Sequence, residues 1–221
     1  MTPWTTDSTG RVQGAPVALS HPAIPDSVAQ WLPLVAQNSA RTGVPVTWGL
    51  AVIYGESNGN PNVVSPDGGY GLFQITSQGL KQGLSNQEVL VPENNIRLGM
   101  DYLKTLRGYR DDLPSVASMF NGGATRYSDG SYGPHLAPGL PWGLREYKLP
   151  NGSAPYITKV VSMNNALLDA GYPYNSGGSG PAPSSNEDLG SQDSILPYLA
   201  GAALGTAVAW YFKLILGILD P

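Results

Sequence analysis

The sequence predicts a mainly α-helical domain with a small irregular β or loop region, followed by a linker and a C-terminal transmembrane helix. Three observations lead there. Apolar residues recur at helical spacing in several segments between residues 26 and 170. Stretches rich in Gly, Asn and Pro separate those segments; 28 Gly and 20 Pro in 221 residues imply a loop-rich fold. Residues 195–219, ILPYLAGAALGTAVAWYFKLILGIL, form an apolar run whose only charge is Lys213.

Taken in order, residues 1–20 lack a basic start followed by a continuous apolar segment. They are expected to be a polar, flexible N-terminal arm rather than a secretory signal. Residues 21–174 are expected to be the folded domain. Asp26 is placed to cap a helix carrying Val28, Trp31, Leu34 and Val35. Pro33 is compatible only with the first turns, so this helix starts late or kinks, and Gly43 ends it. Pro45 suits the first turn of a second helix running through Trp48, Leu50, Ala51, Val52, Ile53 and Tyr54. That helix is apolar on nearly every side, the mark of a buried one.

Residues 58–75 read as a loop or a small irregular β element. Pro92 opens a helix with Ile96, Met100, Leu103 and Leu106 on one face, and Pro114 opens a shorter one over 114–121. Residues 122–153 read as a long loop. Helical spacing returns over 154–170 through Ile157, Val160, Val161, Asn164, Leu167 and Leu168, and Gly171 and Pro173 stop it. Residues 175–194 are a Gly/Ser/Pro linker. A helix over 195–219 would be roughly 37 Å long, more than the ~30 Å hydrocarbon core of a bilayer. Gly201 and Gly205 form a small-xxx-small pair suited to self-association of such helices.

The composition excludes several functions. A net charge of −4 and the lack of any Lys/Arg-rich run leave no electrostatic footprint for nucleic acid. Zero Cys removes disulfides, thiol chemistry and Cys-ligated zinc, and the two His, His21 and His135, lack metal-ligand spacing. No metal and no cofactor is expected.

One carboxylate stands out. Glu56 is the only charged residue between Arg41 and Asp67, and it ends an apolar helix just before a Gly/Asn/Pro turn. A lone carboxylate taken out of water favours its protonated form. A carboxylic acid protonated near neutral pH can serve as a general acid.

The surrounding residues carry a family resemblance. Glu56-Ser57-Asn58-Gly59-Asn60-Pro61 resembles the E-S-x-x-N-P motif of soluble-lytic-transglycosylase-like domains. SPDGGYGLFQI, Ser65 to Ile75, is similar to that family's S-x-x-G-x-x-G-L-x-Q-I segment. Asn95 to Leu103, NIRLGMDYL, resembles its N-I-x-x-G-x-x-Y-L helix, and ASMFNGG, Ala117 to Gly123, its A-x-x-Y-N-x-G. Tyr156-Ile157 stands where the last motif has Tyr-Val. Five motifs in the family's order are specific where each alone is weak, and they cover roughly residues 30–170.

The resemblance implies a mainly α, lysozyme-like α+β fold with a sugar-binding cleft. It implies cleavage of the β-1,4 bond between N-acetylmuramic acid and N-acetylglucosamine in peptidoglycan. In that family one Glu first protonates the leaving oxygen and then takes a proton from the muramic acid 6-hydroxyl, giving a 1,6-anhydro product. Glu56 matches that position. Ser65 can donate a hydrogen bond near the carboxyl or an N-acetyl group, and Gln74 offers both donor and acceptor to sugar groups, held by its apolar flanks. Asn121 is a candidate substrate contact or helix-end cap, Tyr156 a candidate partner for the acid, and Tyr70 and Phe73 further candidate substrate contacts. Gly69 and Gly71 leave room for a sugar or simply make a turn. Tyr132 and Trp142 are candidate sugar platforms.

Two positions depart from the pattern. Phe120 stands where the family usually has Tyr, and Gly152 where the last motif usually has Glu. Asp67 invites a different reading, a carboxylate that holds water for hydrolysis as in goose-type lysozymes, or a turn residue only. The expected function is a membrane-anchored lytic transglycosylase acting on peptidoglycan glycan strands, in a phage virion with an internal membrane, for wall opening during genome delivery. The alternatives are a non-catalytic wall-binding or structural protein, a hydrolase, and a transglycosylase of a secretion or conjugation machine.

Overall fold

Burial is greatest around one helix, Val46–Ser57, and the rest of the fold is arranged about it. The computed structural model describes residues 5–13, 19–76, 78–134 and 153–174. In chain order the elements are β1 Thr5–Thr6, β2 Val12–Gln13, α1 Asp26–Ala29, α2 Leu32–Thr42, α3 Val46–Ser57, α4 Gln78–Lys81, α5 Asn86–Leu90, α6 Pro92–Tyr109, α7 Leu113–Gly122, β3 Ala124–Arg126, β4 Tyr132–Pro134 and α8 Ser153–Asp169. The fold is mainly helical, as expected. The predicted linker 175–194, the apolar segment 195–219 with Gly201 and Gly205, and Trp142 and Gly152 lie outside the described residues. Among the described residues no helix is long and apolar enough to cross a membrane.

Nine of the twelve residues of α3 are buried, which explains why its sequence shows no single apolar face. It packs against α8 above all, and against α2 and α6. α8 also packs on α7. The α3–α8 approach is close because residue 55 is Gly: a Cβ there would lie 2.9 Å from Val160 Cγ2 and 3.1 Å from Tyr156 Cε2. On the other side, α6 approaches the loop at Phe73 because residue 99 is Gly; a Cβ would fall 2.1 Å from the Phe73 ring.

Proline and cap chemistry set the element ends. The first predicted helix is two pieces. Pro33 lacks an N–H and disfavours helical backbone before it, so α1 stops and α2 restarts with Pro33 in its first turn. Asp26 is the first residue of α1 and makes no side-chain cap, a correction to its expected role. Gly43 closes α2 in the left-handed conformation at φ +73°. Pro45 precedes α3 rather than lying in its first turn, and Pro92 begins α6. α4 and α5 were not expected. α5 carries a capping box: the Ser85 hydroxyl accepts from the Glu88 N–H and the Glu88 carboxylate accepts from the Ser85 N–H.

Two further expectations are corrected. Within the segment read as a flexible arm, β1 and β2 form an antiparallel hairpin docked on α8. Val12 is buried; its N–H donates to Asn165 Oδ1 at 3.0 Å and its carbonyl accepts from Asn165 Nδ2 at 2.8 Å. Arg11 pairs with Asp169, which also meets His21 Nε2 at 3.1 Å. Within the segment read as a long loop, β3 and β4 form a second antiparallel hairpin, with Arg126 opposite Tyr132. The expected irregular β region at 58–75 consists of isolated bridges, Val64 to Tyr70 and Tyr70 to Ile75.

Candidate active site

Glu56 lies in the last turn of α3, and its neighbour Ser57 fixes that end of the helix. The Ser57 hydroxyl is within reach of the Ile53 carbonyl at 3.1 Å and the Leu72 carbonyl at 2.9 Å, and it accepts from the Gly59 N–H at 3.3 Å. Asn58 then leaves the helix in the left-handed conformation at φ +51°, where Asn is better tolerated than most residues. The chain thereby turns away and leaves the carboxyl at the rim of a cleft.

The cleft has a volume of about 520 Å³, within the range of small-ligand sites. Glu56, Ser65, Asp67, Phe73, Gln74 and Asn121 line it together with residues of α6 and α7. One buried side chain holds the loop that forms this wall. Asn95 Oδ1 accepts from the Phe73 N–H at 2.8 Å, and its Nδ2 donates to the carbonyls of Tyr70 at 2.8 Å and Val89 at 2.9 Å. The Phe73 N–H and the Val89 carbonyl depend on this side chain, while the Tyr70 carbonyl also accepts from the Ile75 N–H at 3.1 Å.

The candidate residues are brought together only in part. Glu56, Ser65, Phe73, Gln74 and Asn121 share the cleft, and Tyr156 reaches Glu56 from α8. Tyr70 does not line the cleft. Its hydroxyl accepts from Asn86 Nδ2 at 2.7 Å and its ring lies 4.6 Å from Lys81 Nζ, so it ties the loop to α4 and α5. Gln74 reaches the cleft, but its amide donors go to the carbonyls of Val63 at 3.1 Å and Gly71 at 2.8 Å. Only its acceptor remains for a ligand. These bonds hold its backbone at φ +47°, a conformation that costs a non-Gly residue about 1 kcal/mol or more. Ser65 donates to Asp67 and accepts from the Gly69 N–H at 2.9 Å, so its hydroxyl hydrogen is not directed at Glu56. Phe73 is fully buried and forms part of the floor.

Sequence reasoning named Phe120 only as a departure from the family motif and passed over two contributors, Tyr102 and Lys159. Tyr102 and Phe120 line the cleft, with ring centroids 5.3 Å apart. Tyr102 occupies the Tyr position of the α6 motif, which was signal enough to name it. Lys159 stands three residues after Tyr156, hence on the same face of α8. Its Nζ donates to the Gly55 carbonyl at 3.0 Å and lies 4.7 Å from the centroid of the Tyr54 ring.

The electrostatics single out Glu56. Burial pushes its pKa up to about 7; Tyr156 and the Lys159 ammonium act against that rise, and the Asp67 carboxylate adds to it. The Tyr156 hydroxyl is buried beside the Glu56 carboxyl, yet the two fall outside strict hydrogen-bond geometry, and nothing else among the described residues pairs with that hydroxyl. Unliganded sites often hold such contacts long. Burial, then the nearby Glu56, keeps the Tyr156 phenol well above its ordinary pKa, so it is a neutral donor aimed at the acid. Burial lowers the pKa of Lys159 and Glu56 opposes that shift. Among the described residues no group of three or more His, Asp or Glu is placed to hold a metal ion.

Residues 33–131, which contain Glu56, the cleft loop and α6, match the family model of the transglycosylase SLT domain. That stretch is just under half of the chain, and there the chain is similar to the SLT domain. Its relatives include the membrane-bound lytic murein transglycosylase C of Yersinia pestis (strain Pestoides F) and that of Yersinia pseudotuberculosis (serotype O:1b, strain IP 31758). Each is 32% identical over 113 residues, covering 46% of this chain and 32% of the relative. The match thus spans about a third of the length of those relatives. The fold is similar to that of an inactive mutant of the lytic transglycosylase Slt from Pseudomonas aeruginosa. That likeness has a TM-score of 0.53 at 18% identity and covers 65% of this chain and 25% of the other. The family match ends before α8, so Tyr156 and Lys159 are assigned to the site by their geometry.

Proposed function

We propose that this protein is a peptidoglycan lytic transglycosylase in which Glu56 is both acid and base. The observation that carries the reading is a single half-buried carboxylic acid, poised near pKa 7, at the rim of a cleft in a stretch similar to the SLT domain. Protonated Glu56 gives its proton to the glycosidic oxygen as the bond from C1 of N-acetylmuramic acid to that oxygen breaks. The resulting carboxylate then takes the proton of the same sugar's 6-hydroxyl as O6 bonds to C1. The product is a 1,6-anhydro sugar, no water is consumed, and Glu56 ends protonated, ready for the next cycle. Lys159 and Tyr156 stabilise the carboxylate between the two steps. Phe73, Tyr102 and Phe120 give the sugars an apolar floor, and Asn121 and the Gln74 carbonyl offer polar contacts.

Glu56→Gln keeps the shape and removes the transferable proton. It is expected to reduce release of soluble fragments from purified peptidoglycan by about 10²–10⁴-fold, with binding retained. Undiminished release would mean that Glu56 is not the acid. A second reading rests on Asp67, which shares the cleft and the local field of Glu56: a hydrolase in which Asp67 orients a water. Its product would carry one water more than the anhydro sugar.

The apolar run 195–219, joined through the linker 175–194, supports a C-terminal membrane anchor, and the pair Gly201/Gly205 supports self-association of that helix. A cleavage domain tethered to a membrane suits local opening of the wall, and a phage particle with an internal membrane, acting at genome delivery, is the setting we favour. Flotation with lipid vesicles checks the anchor: the full chain should float, and a chain ending at residue 174 should not.

A further inference from the structure

A line of aromatic rings leaves the cleft. Phe73 on the floor lies 6.1 Å from Phe120 between ring centroids, and Phe120 lies 5.3 Å from Tyr102. Tyr109 follows Tyr102 by seven residues on α6, two turns further along the same face and roughly 10 Å away. Its ring stacks on Tyr132 of β4, with centroids 4.9 Å apart and planes 23° apart. Both rings are exposed, Tyr109 by 37% and Tyr132 by 38%. The hairpin that presents Tyr132 grows directly from the end of α7, where Asn121 and Gly123 line the cleft. Cleft and tyrosine pair are therefore held on the same two rigid supports, α6 and the α7–β3 junction.

The chemistry of a flat, amphipathic, solvent-facing surface narrows its occupant. The other exposed large apolar residues among those described are two valines, Val64 and Val91. A stacked tyrosine pair instead offers broad ring area with hydroxyls that stay hydrated. Sugar rings have the matching character, with C–H faces that pack on aromatic rings and hydroxyl edges that meet water. The pair also stands two turns along α6 from Tyr102, which lines the cleft, on the same face of that helix.

We infer that Tyr109 and Tyr132 form a second glycan contact outside the cleft, holding sugar units of the same strand beyond those at Glu56. This rests on the reading of the protein as a peptidoglycan-cleaving enzyme. The consequence is a preference for long strands, because each turnover on a long strand gains a contact that a short one cannot reach.

The test uses the full chain, as wild type, Tyr132→Leu and Tyr132→Phe, on glycan strands of two defined lengths: one that fills the cleft and one several repeats longer. Leu preserves an apolar strand residue and loses the flat ring; Phe preserves the ring and reports on folding. The ratio of KM for the short strand to KM for the long one is expected to fall roughly five- to tenfold in Tyr132→Leu and to stay near wild type in Tyr132→Phe. An identical ratio in wild type and Tyr132→Leu overturns the inference. A second readout needs no catalysis: sedimentation of the Glu56→Gln chain with intact peptidoglycan, with and without Tyr132→Leu. Ring-dependent binding by a protein whose wild type never cleaves would keep the platform and remove the enzymatic reading. Cleavage of both lengths with no effect of Tyr132→Leu in either assay would do the reverse.

Discussion

Glu56 owes its chemistry to where α3 ends. The same carboxylate one turn earlier would be buried with no access to a ligand, and one turn later it would be in solvent with an ordinary pKa. At the rim it is raised to about 7 by burial, and Tyr156 and Lys159 restrain that rise. Lys159→Met removes the restraining charge, so the pKa of Glu56 moves further up. The first step needs protonated Glu56, so kcat/KM falls as pH rises through that pKa. The variant is therefore expected to shift the alkaline limb of the pH profile upward, and to lower kcat because the carboxylate formed between the steps loses its cation. A profile superimposable on wild type would take Lys159 out of the site. The linkage to stability has a definite sign. Glu56 binds a proton in the folded state up to about pH 7 and in the unfolded chain only up to its ordinary value near 4.5. Stability from this group is thus lost as pH rises through that window.

At the scale of elements, the sequence was legible where helical periodicity and proline or glycine punctuation coincide. α3 and α8 were placed to within a residue or two by that means, as was the start of α6 at Pro92, and Glu56 was placed by its isolation at the end of α3. What it hid had specific causes. α4 and α5 are a turn or so long, too short for a periodic signal, although the Ser85–Glu88 spacing was a readable capping box. Lys159 needed the α3–α8 contact to acquire meaning, and so did the internal use of the Gln74 amide and the Tyr70 hydroxyl. Asn95 was visible only as a motif letter; the structure gives it a task. Asn95→Ala strands the buried Phe73 N–H and the Val89 carbonyl, and is expected to cost about 1–3 kcal/mol, with loss of activity as the cleft loop loosens. Thermal unfolding measures it. A variant as stable as wild type would mean that the loop is held by other contacts.

For the whole molecule, the N-terminal hairpin is the lesson that local patterns cannot teach. Its anchors to α8, Val12 to Asn165 and Gly10 to Asn164, cross more than 150 residues of sequence. Two-residue strands show no alternation to read. Yet this hairpin backs the helix that delivers Tyr156 and Lys159 to Glu56, so it belongs to the support of the site. The likeness to the SLT domain, the cleft and the raised Glu56 carry the central claim of the proposed function, that the strand is cleaved without water. The measurement that tests it most directly is digestion of purified peptidoglycan by the full chain, with mass analysis of the fragments. The account predicts anhydro-muropeptides, one water lighter than hydrolysed fragments and absent with Glu56→Gln. Hydrated fragments would contradict it.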